Sequence, residues 1–346
     1  MDDGAATTIV QGGDAHVLLL PFPGMQGHAN PMLQLGRRLA FHGLRPTLVV
    51  SRHVLAVELG PDDVPPFVAA PEWYPAFTES ALSQFDGLEH ADDVLVNSFR
   101  DLEPMEADYL ESTWRAKTVG PTLPSFYLDD GRLPCDKTYG VDLFSSTDSE
   151  AAPCMTWLDK QEPCSVVLAS YGTVANLDKE QLDELGNGLC DSGKPFVWVL
   201  RSNEAEKLSR QLGGRCKERG LIVPFCPQLE VLAHKATGCF LTHCGWNSTI
   251  ESIASGVPMV AMPQWADQPT TAKYVESAWG IGVRMRKGSL VRKEVERCIR
   301  EVMGGERKHV YGRNAARWMH KAKEAMQEGG SSDKNIAEFA AKYLPK

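Results

Sequence analysis

Short, wholly apolar runs alternate with helical patterns along the second half of the chain. Val166–Ser170, Phe196–Leu200, Leu221–Pro224, Cys239–Thr242, Pro258–Met262 and Ile281–Met285 read as strands. Helical spacing occupies 178–191, 204–219, 228–234, 248–255, 270–279 and 290–303. Strands apolar on both faces, each followed by a helix, predict a parallel sheet covered on both sides, a doubly wound α/β domain.

The first half begins in the same style. The stretch HVLLLPFPG, from His16 to Gly24, is a strand running into a Gly and Pro rich loop. Asn30 and Pro31 then supply an N-cap and an N1 proline. Met32, Leu35 and Leu39 fall on one helix face, Gly43 ends the helix, and Thr47–Val50 is a second strand. Only one further strand stands out there, Val94–Asn97, so this α/β unit is short of parts. The Pro, Gly, Ser and Asp content before residue 156 suits a linker. The expected division is a partial N-terminal domain at 1–125, a linker at 126–155, a C-terminal domain at 156–325 and a terminal helical segment at 326–346 packing back on the N-terminal domain.

Composition narrows the function classes. With 346 residues, 43% hydrophobic and 23% charged, the chain has material for about two domains with real cores. A formal net charge of -9 excludes general attraction to nucleic acid or anionic lipid, so an anionic ligand requires local positive potential. Nine scattered cysteines, an acidic start (MDDGAATTIVQGGD) and the lack of a run of roughly twenty apolar residues predict a cytoplasmic chain with reduced thiols and no membrane span.

The chemistry concentrates in FLTHCGWNSTIESIASGVPMVAMPQWADQ, residues 240–268. In an open parallel sheet ligands bind beyond the carboxyl ends of the strands, and the turn after Thr242 lies at such an end. Gly245, Asn247 and Ser248 stand where a helix begins, with free amides and the positive end of its dipole, a site for a phosphate or diphosphate. His243 adds a donor. Two other readings stay open: Ser248 and Glu251 match a Ser-x-x-Glu capping box, and Cys239, His243 and Cys244 suggest a metal, although they lack paired zinc spacing.

The whole segment from Phe225 to Gln268 resembles the C-terminal signature of plant secondary-product UDP-glycosyltransferases, and the likeness extends to HVLLLPFPG and GHANPMLQLGRRLA. It is nearest to grass UDP-glucosyltransferases acting on small lipophilic acceptors. The resemblance implies two Rossmann-like domains facing across a cleft, the GT-B fold. It implies that Thr173, His243 and the amides around Asn247 and Ser248 hold the diphosphate. Glu251 would accept from the ribose hydroxyls, Phe225 would stack on uracil with Gln228 nearby, and Asp267, Gln268 and the Trp246 amide would lie at the sugar. Phe225 departs from the usual Trp, a smaller ring with less stacking area. A terminal Gln such as Gln268 is typical of glucose-transferring members.

The chemistry implied is inverting transfer from UDP-glucose as donor substrate, with no metal, no DxD motif and no other cofactor. His28 matches the family's catalytic base; near neutral pH such a base contributes typically 100-fold to 10,000-fold. Two departures surround it. The loop PFPGMQGH is one residue longer than the family's, and after PTLVVSRHVLAVELG the chain passes almost directly to sequence that lies much later in the family's N-terminal domain. The Asp that orients the base is lost with the missing units; Asp62, Asp63 and Asp86 lack its context. The expected ligands are therefore UDP-glucose and a small-molecule acceptor, with no nucleic acid and no obligate protein partner. The alternative is a shortened chain that binds UDP-sugar without transferring glucose. An NAD-dependent dehydrogenase fits the α/β pattern, yet neither GMQGHA nor GNGLCDSG supplies Gly-x-Gly-x-x-Gly at a strand-to-helix turn.

Overall fold

The structure, a computed structural model, describes residues 59–73, 75, 79, 90–133, 135–139, 148–172, 177–286 and 291–344. The expected strands at HVLLL and Thr47–Val50, and the helix after Asn30, lie outside them.

The second half is a six-stranded parallel sheet built from β3 (Val166–Ser170), β4 (Phe196–Val199), β5 (Gly220–Val223), β6 (Thr237–Thr242), β7 (Met259–Ala261) and β8 (Gly282–Arg284). Their spatial order is β5-β4-β3-β6-β7-β8. The chain winds outward from β3 in one direction, crosses back to β6 and winds outward in the other, which puts a topological switch point between β3 and β6. Ser170 pairs with Thr242 at the carboxyl end of that central ladder.

The period of two along each strand sorts the core into two layers. Val166, Leu168 and Phe240 join one core with Ile250, Ile253 and Val275. Val167, Ala169 and Leu241 join the other with Leu185, Val295 and Ile299. Helices therefore cover both faces, as strands apolar throughout require. The helices are α3 (Lys179–Asp191), α4 (Arg210–Arg219), α5 (Gln228–Ala233), α6 (Trp246–Ser255), α7 (Gln268–Glu276) and α8 (Val291–Gly304).

Differences from the sequence reading have local causes. The segment read as one helix at 204–219 divides into a turn at Ser202–Ala205 and α4, because the Ser209 hydroxyl accepts from the Leu212 amide and caps a new start. The helix expected at 248–255 begins two residues earlier, at Trp246. The segment read as linker contains the start of α2 (Asp148–Leu158), which buries Cys154 and Leu158 against the sheet's core.

Ahead of the sheet, β1 (Leu95–Val96) and β2 (Lys117–Thr118) pair in parallel across α1 (Pro104–Trp114). An aromatic seam joins this part to the sheet domain. The indole nitrogen of Trp246 donates to the Asn97 carbonyl at 2.7 Å, that of Trp279 donates to the Leu102 carbonyl at 3.1 Å, and Tyr274 donates to Glu106. The ring of Trp279 lies 6.2 Å from that of Trp246 and 5.4 Å from that of Tyr274. After α9 (Lys308–Met326) the chain returns through α10 (Ser331–Tyr343). Ser332 donates to the Gly120 carbonyl at 2.6 Å, Asn335 to the Thr118 carbonyl at 2.8 Å and Tyr343 to Asp93 at 2.6 Å. Among the described residues no helix is long and apolar enough to cross a membrane.

Phe240 is fully buried in the central strand β6. Phe240→Ala should therefore cost about 3–5 kcal/mol. Chemical denaturation of parent and variant checks this, and a loss under about 1 kcal/mol would contradict the packing.

Candidate functional site

Helix α6 starts at the carboxyl edge of β6 with Gly245 as its N-cap, and no side chain caps it. Thr249 donates to the Gly245 carbonyl at 3.0 Å as the first intrahelical bond. Among the described residues nothing accepts from the amides of Trp246, Asn247 and Ser248. These three donors and the positive end of the helix dipole face the switch-point crevice, the arrangement that attracts an anion.

His243 is held beside them by two glycines. A Cβ at Gly172 would stand 2.7 Å from His243 Nε2, and one at Gly245 would stand 2.5 Å from the same atom. Gly172 lies in the turn after β3 with φ +79, so glycine is required there both for backbone conformation and for space. The ring Nδ1 is buried and has no hydrogen-bond partner among the described residues. Burial pushes the imidazole down to about 4, so it is neutral at pH 7. A neutral ring with a buried Nδ1 presents Nε2 toward the two glycines.

The turn is strained to fit. Cys244 has φ +63, left-handed for a residue with a Cβ, and its amide donates to the Thr242 hydroxyl at 3.2 Å. Its side chain belongs to one core while that of Cys239 belongs to the other, so these thiols and His243 do not share one site. Burial pushes the Cys244 thiol up, and the charge of Asp267 adds to the effect.

Glu251 lies on α6 one turn beyond the free amides and is 6% exposed. It does not form a capping box with Ser248, since Ser248 is already the third helical residue. Instead its Oε1 accepts from the Tyr139 phenol at 2.6 Å and its Oε2 from Gln228 Nε2 at 2.6 Å. The same Nε2 donates to Ser248 Oγ at 3.0 Å. Burial raises the Glu251 carboxyl, and the bonds from Tyr139 and Gln228 oppose it. Phe225 follows β5 half-buried, three residues before Gln228 opens α5.

Asp267 is the N-cap of α7, its carbonyl accepting from the Thr271 amide at 3.0 Å. Gln268 Oε1 accepts from the amides of Gln264 at 2.8 Å and Trp265 at 3.1 Å, which fixes the loop after β7. Its side-chain oxygen is thus engaged, leaving the NH2 end as its handle for a ligand. The structure gathers Gln228, His243, Gly245, Trp246, Asn247, Ser248 and Glu251 around the start of α6, with Asp267 and Gln268 beyond the adjoining β7 and Phe225 after β5. Thr173, His28 and Asp86 lie outside the described residues. Asp63 pairs with Arg284, and its carbonyl accepts from the Thr270 hydroxyl at 2.7 Å, so it serves the contact with α7 and β8. Tyr139 and Gly172 were missed by sequence reasoning: Tyr139 sits 112 residues before its partner, and only the Gly-Thr turn after β3 hinted at Gly172.

A parallel sheet wound both ways, with a helix N-terminus and a buried carboxylate at its switch point, is the architecture of a nucleotide-binding α/β domain. Comparison with known proteins gives the class its name. The family model described as UDP-glucoronosyl and UDP-glucosyl transferase matches residues 147–323. The chain belongs to this family of glycosyltransferase enzymes. It is 52% identical to UDP-glycosyltransferase 79 of Oryza sativa subsp. japonica, over 98% of this chain and 99% of that protein. It is 50% identical to the UDP-glucosyltransferase UGT13248 of Hordeum vulgare subsp. vulgare, over 96% of this chain and 95% of that protein. The crystal structure of Os79 from O. sativa in complex with UDP superposes with a TM-score of 0.89 at 52% identity, covering 95% of this chain and all (100%) of that one. The same protein solved with U2F and trichothecene gives a TM-score of 0.84 at 51% identity, with the same 95% and 100% coverage. The fold is GT-B. The rice alignment runs over 464 positions and this chain has 346 residues, so at least 118 positions (464 less 346) face no residue here.

Two expectations follow from the ring and its glycines. Gly172→Ala should displace His243 and weaken UDP binding by roughly tenfold, the scale of one bond to a charged group; calorimetry checks it, and unchanged affinity would contradict the packing. The folded-state pKa of His243 lies below the unfolded value, so the neutral ring contributes stability above pH ~6.5 that is lost as pH falls toward 4. Melting temperatures of parent and His243→Gln should diverge across that window, the parent falling faster.

Proposed function

We propose that this chain is a UDP-glucose-dependent glucosyltransferase, inverting and metal-independent, acting on a hydroxyl or carboxyl of a small lipophilic acceptor in the cytoplasm. The observation that carries this reading is the set of three amides at Trp246, Asn247 and Ser248 that have no acceptor among the described residues, with the His243 ring clamped beside them. The diphosphate is held by the Asn247 and Ser248 amides, by His243 and by Thr173. The ribose diol binds Glu251, and uracil stacks on Phe225 with Gln228 at its side. Asp267, the Gln268 NH2 group and the Trp246 amide hold the sugar.

In the reaction the acceptor gives its proton to His28 and attacks the anomeric carbon from the face opposite the diphosphate. The bond to the diphosphate breaks as the new one forms, so an α-linked donor yields a β-glycoside. The charge that grows on the leaving group is met by the helix N-terminus and His243, fixed donors that need no reorganisation. Because the free ring is neutral, it serves as a hydrogen-bond donor, and an arriving dianion favours its protonation. The rice relative is solved with a trichothecene, which supports a compact, largely apolar acceptor.

A second reading, binding of UDP-sugar without transfer, is favoured by one observation: at least 118 positions of the rice alignment have no counterpart here (464 less 346). On this reading the donor half is whole while the half that carries His28 lacks the partner for its base.

Calorimetric titration with UDP should give saturable binding by the parent and roughly tenfold to hundredfold weaker binding by His243→Ala. Equal affinities would remove His243 from the site. With UDP-glucose and a panel of lipophilic alcohols and acids, His28→Ala should lower turnover at least about 100-fold while leaving UDP affinity unchanged. UDP binding by a parent that turns over no acceptor would establish the second reading.

A further inference from the structure

Resting on the donor-site reading above, the environment of Glu251 carries a consequence for how the nucleotide is selected. Both carboxylate oxygens are engaged, one by the Tyr139 phenol and one by Gln228, each at 2.6 Å. With only 6% of Glu251 exposed, these two donors also control the approach to it. Tyr139 comes from the segment between the two halves and packs, partly buried, against the core under α6. Burial raises its phenol well above the ordinary value, so it remains a donor at every working pH.

A buried carboxylate without donors is costly, and the phenol removes that cost. A ribose 2′,3′-diol offers the same chemistry as the pair now present, two hydrogen-bond donors for two oxygens. Both cannot occupy the Oε1 side of so enclosed a group. We propose that Tyr139 competes with the nucleotide ribose for Glu251, holding the carboxylate until a diol replaces the phenol, and thereby sets both the affinity and the ribose selectivity of the donor site. Only a ligand that returns the hydrogen bond it displaces is held without loss. A diphosphate lacking ribose engages the helix N-terminus and leaves Tyr139 where it is.

The test is calorimetric titration of parent, Tyr139→Phe and Tyr139→Leu, each with UDP and with inorganic pyrophosphate. The expected result is UDP binding tightened by roughly fivefold in both variants, the scale of one net hydrogen bond, with pyrophosphate affinity unchanged. UDP affinity unchanged or weaker in both variants overturns the proposal, as does an equal gain for pyrophosphate, which would signal a general loosening. A parent that binds neither ligand overturns the donor-site reading itself. A parent that binds both, with variants no tighter for UDP, removes only the role of Tyr139.

Discussion

The pairing of β3 with β6 is the contact on which the site depends. These strands are neighbours in space but separated in sequence by β4 and β5, and only their adjacency brings the turn after Ser170 beside the turn after Thr242. Gly172 from one turn and Gly245 from the other then enclose His243. A methyl group on either would overlap the ring, so the clamp is specified to within the size of one carbon. The same turn takes a strained residue, Cys244, whose left-handed backbone is held by its buried thiol and by Thr242.

Around this centre the charged groups are arranged by burial. Glu251 and Glu103 both sit where desolvation raises their carboxyls, Glu103 to about 7. Each is supplied with donors: Glu103 accepts from Ser98 at 2.5 Å, close to Asn97, whose carbonyl takes the Trp246 indole. The start of α6 is therefore tied through Trp246 to the end of β1 in the other half. Asp63, Arg284 and Thr270 make a second link between the halves. These polar contacts together with the Trp246, Trp279 and Tyr274 seam fix the spacing between the halves.

The sheet was legible because each strand is apolar throughout, a pattern that only a parallel sheet covered on both faces accommodates. The helix start after β6 was legible for a related reason: Gly, Asn and Ser after a buried strand mark such a start whatever the family. Its details were less so. Ser248 and Glu251 have capping-box spacing, yet the helix begins at Trp246, whose ring packs by Trp279 and whose indole nitrogen donates to the Asn97 carbonyl of the other half. Long-range pairs such as Tyr139 with Glu251 leave no periodic trace in the chain. The helices α1 and α9 were not anticipated: α1 packs on β2, a strand of only two residues, and α9 packs on the helices α6, α8 and α10. His28 and Thr173 lie outside the described residues, so their placement rests on the family resemblance.

The central claim is that a nucleotide diphosphate sits at the switch point, with its phosphates on the start of α6 and its ribose on Glu251. A crystal structure of this chain with UDP tests it most directly. The account predicts phosphate oxygens within hydrogen-bond distance of the Asn247 and Ser248 amides and of His243 Nε2, with the ribose diol on the Glu251 carboxylate. Phosphates bound elsewhere, or a ribose turned away from Glu251, would contradict it.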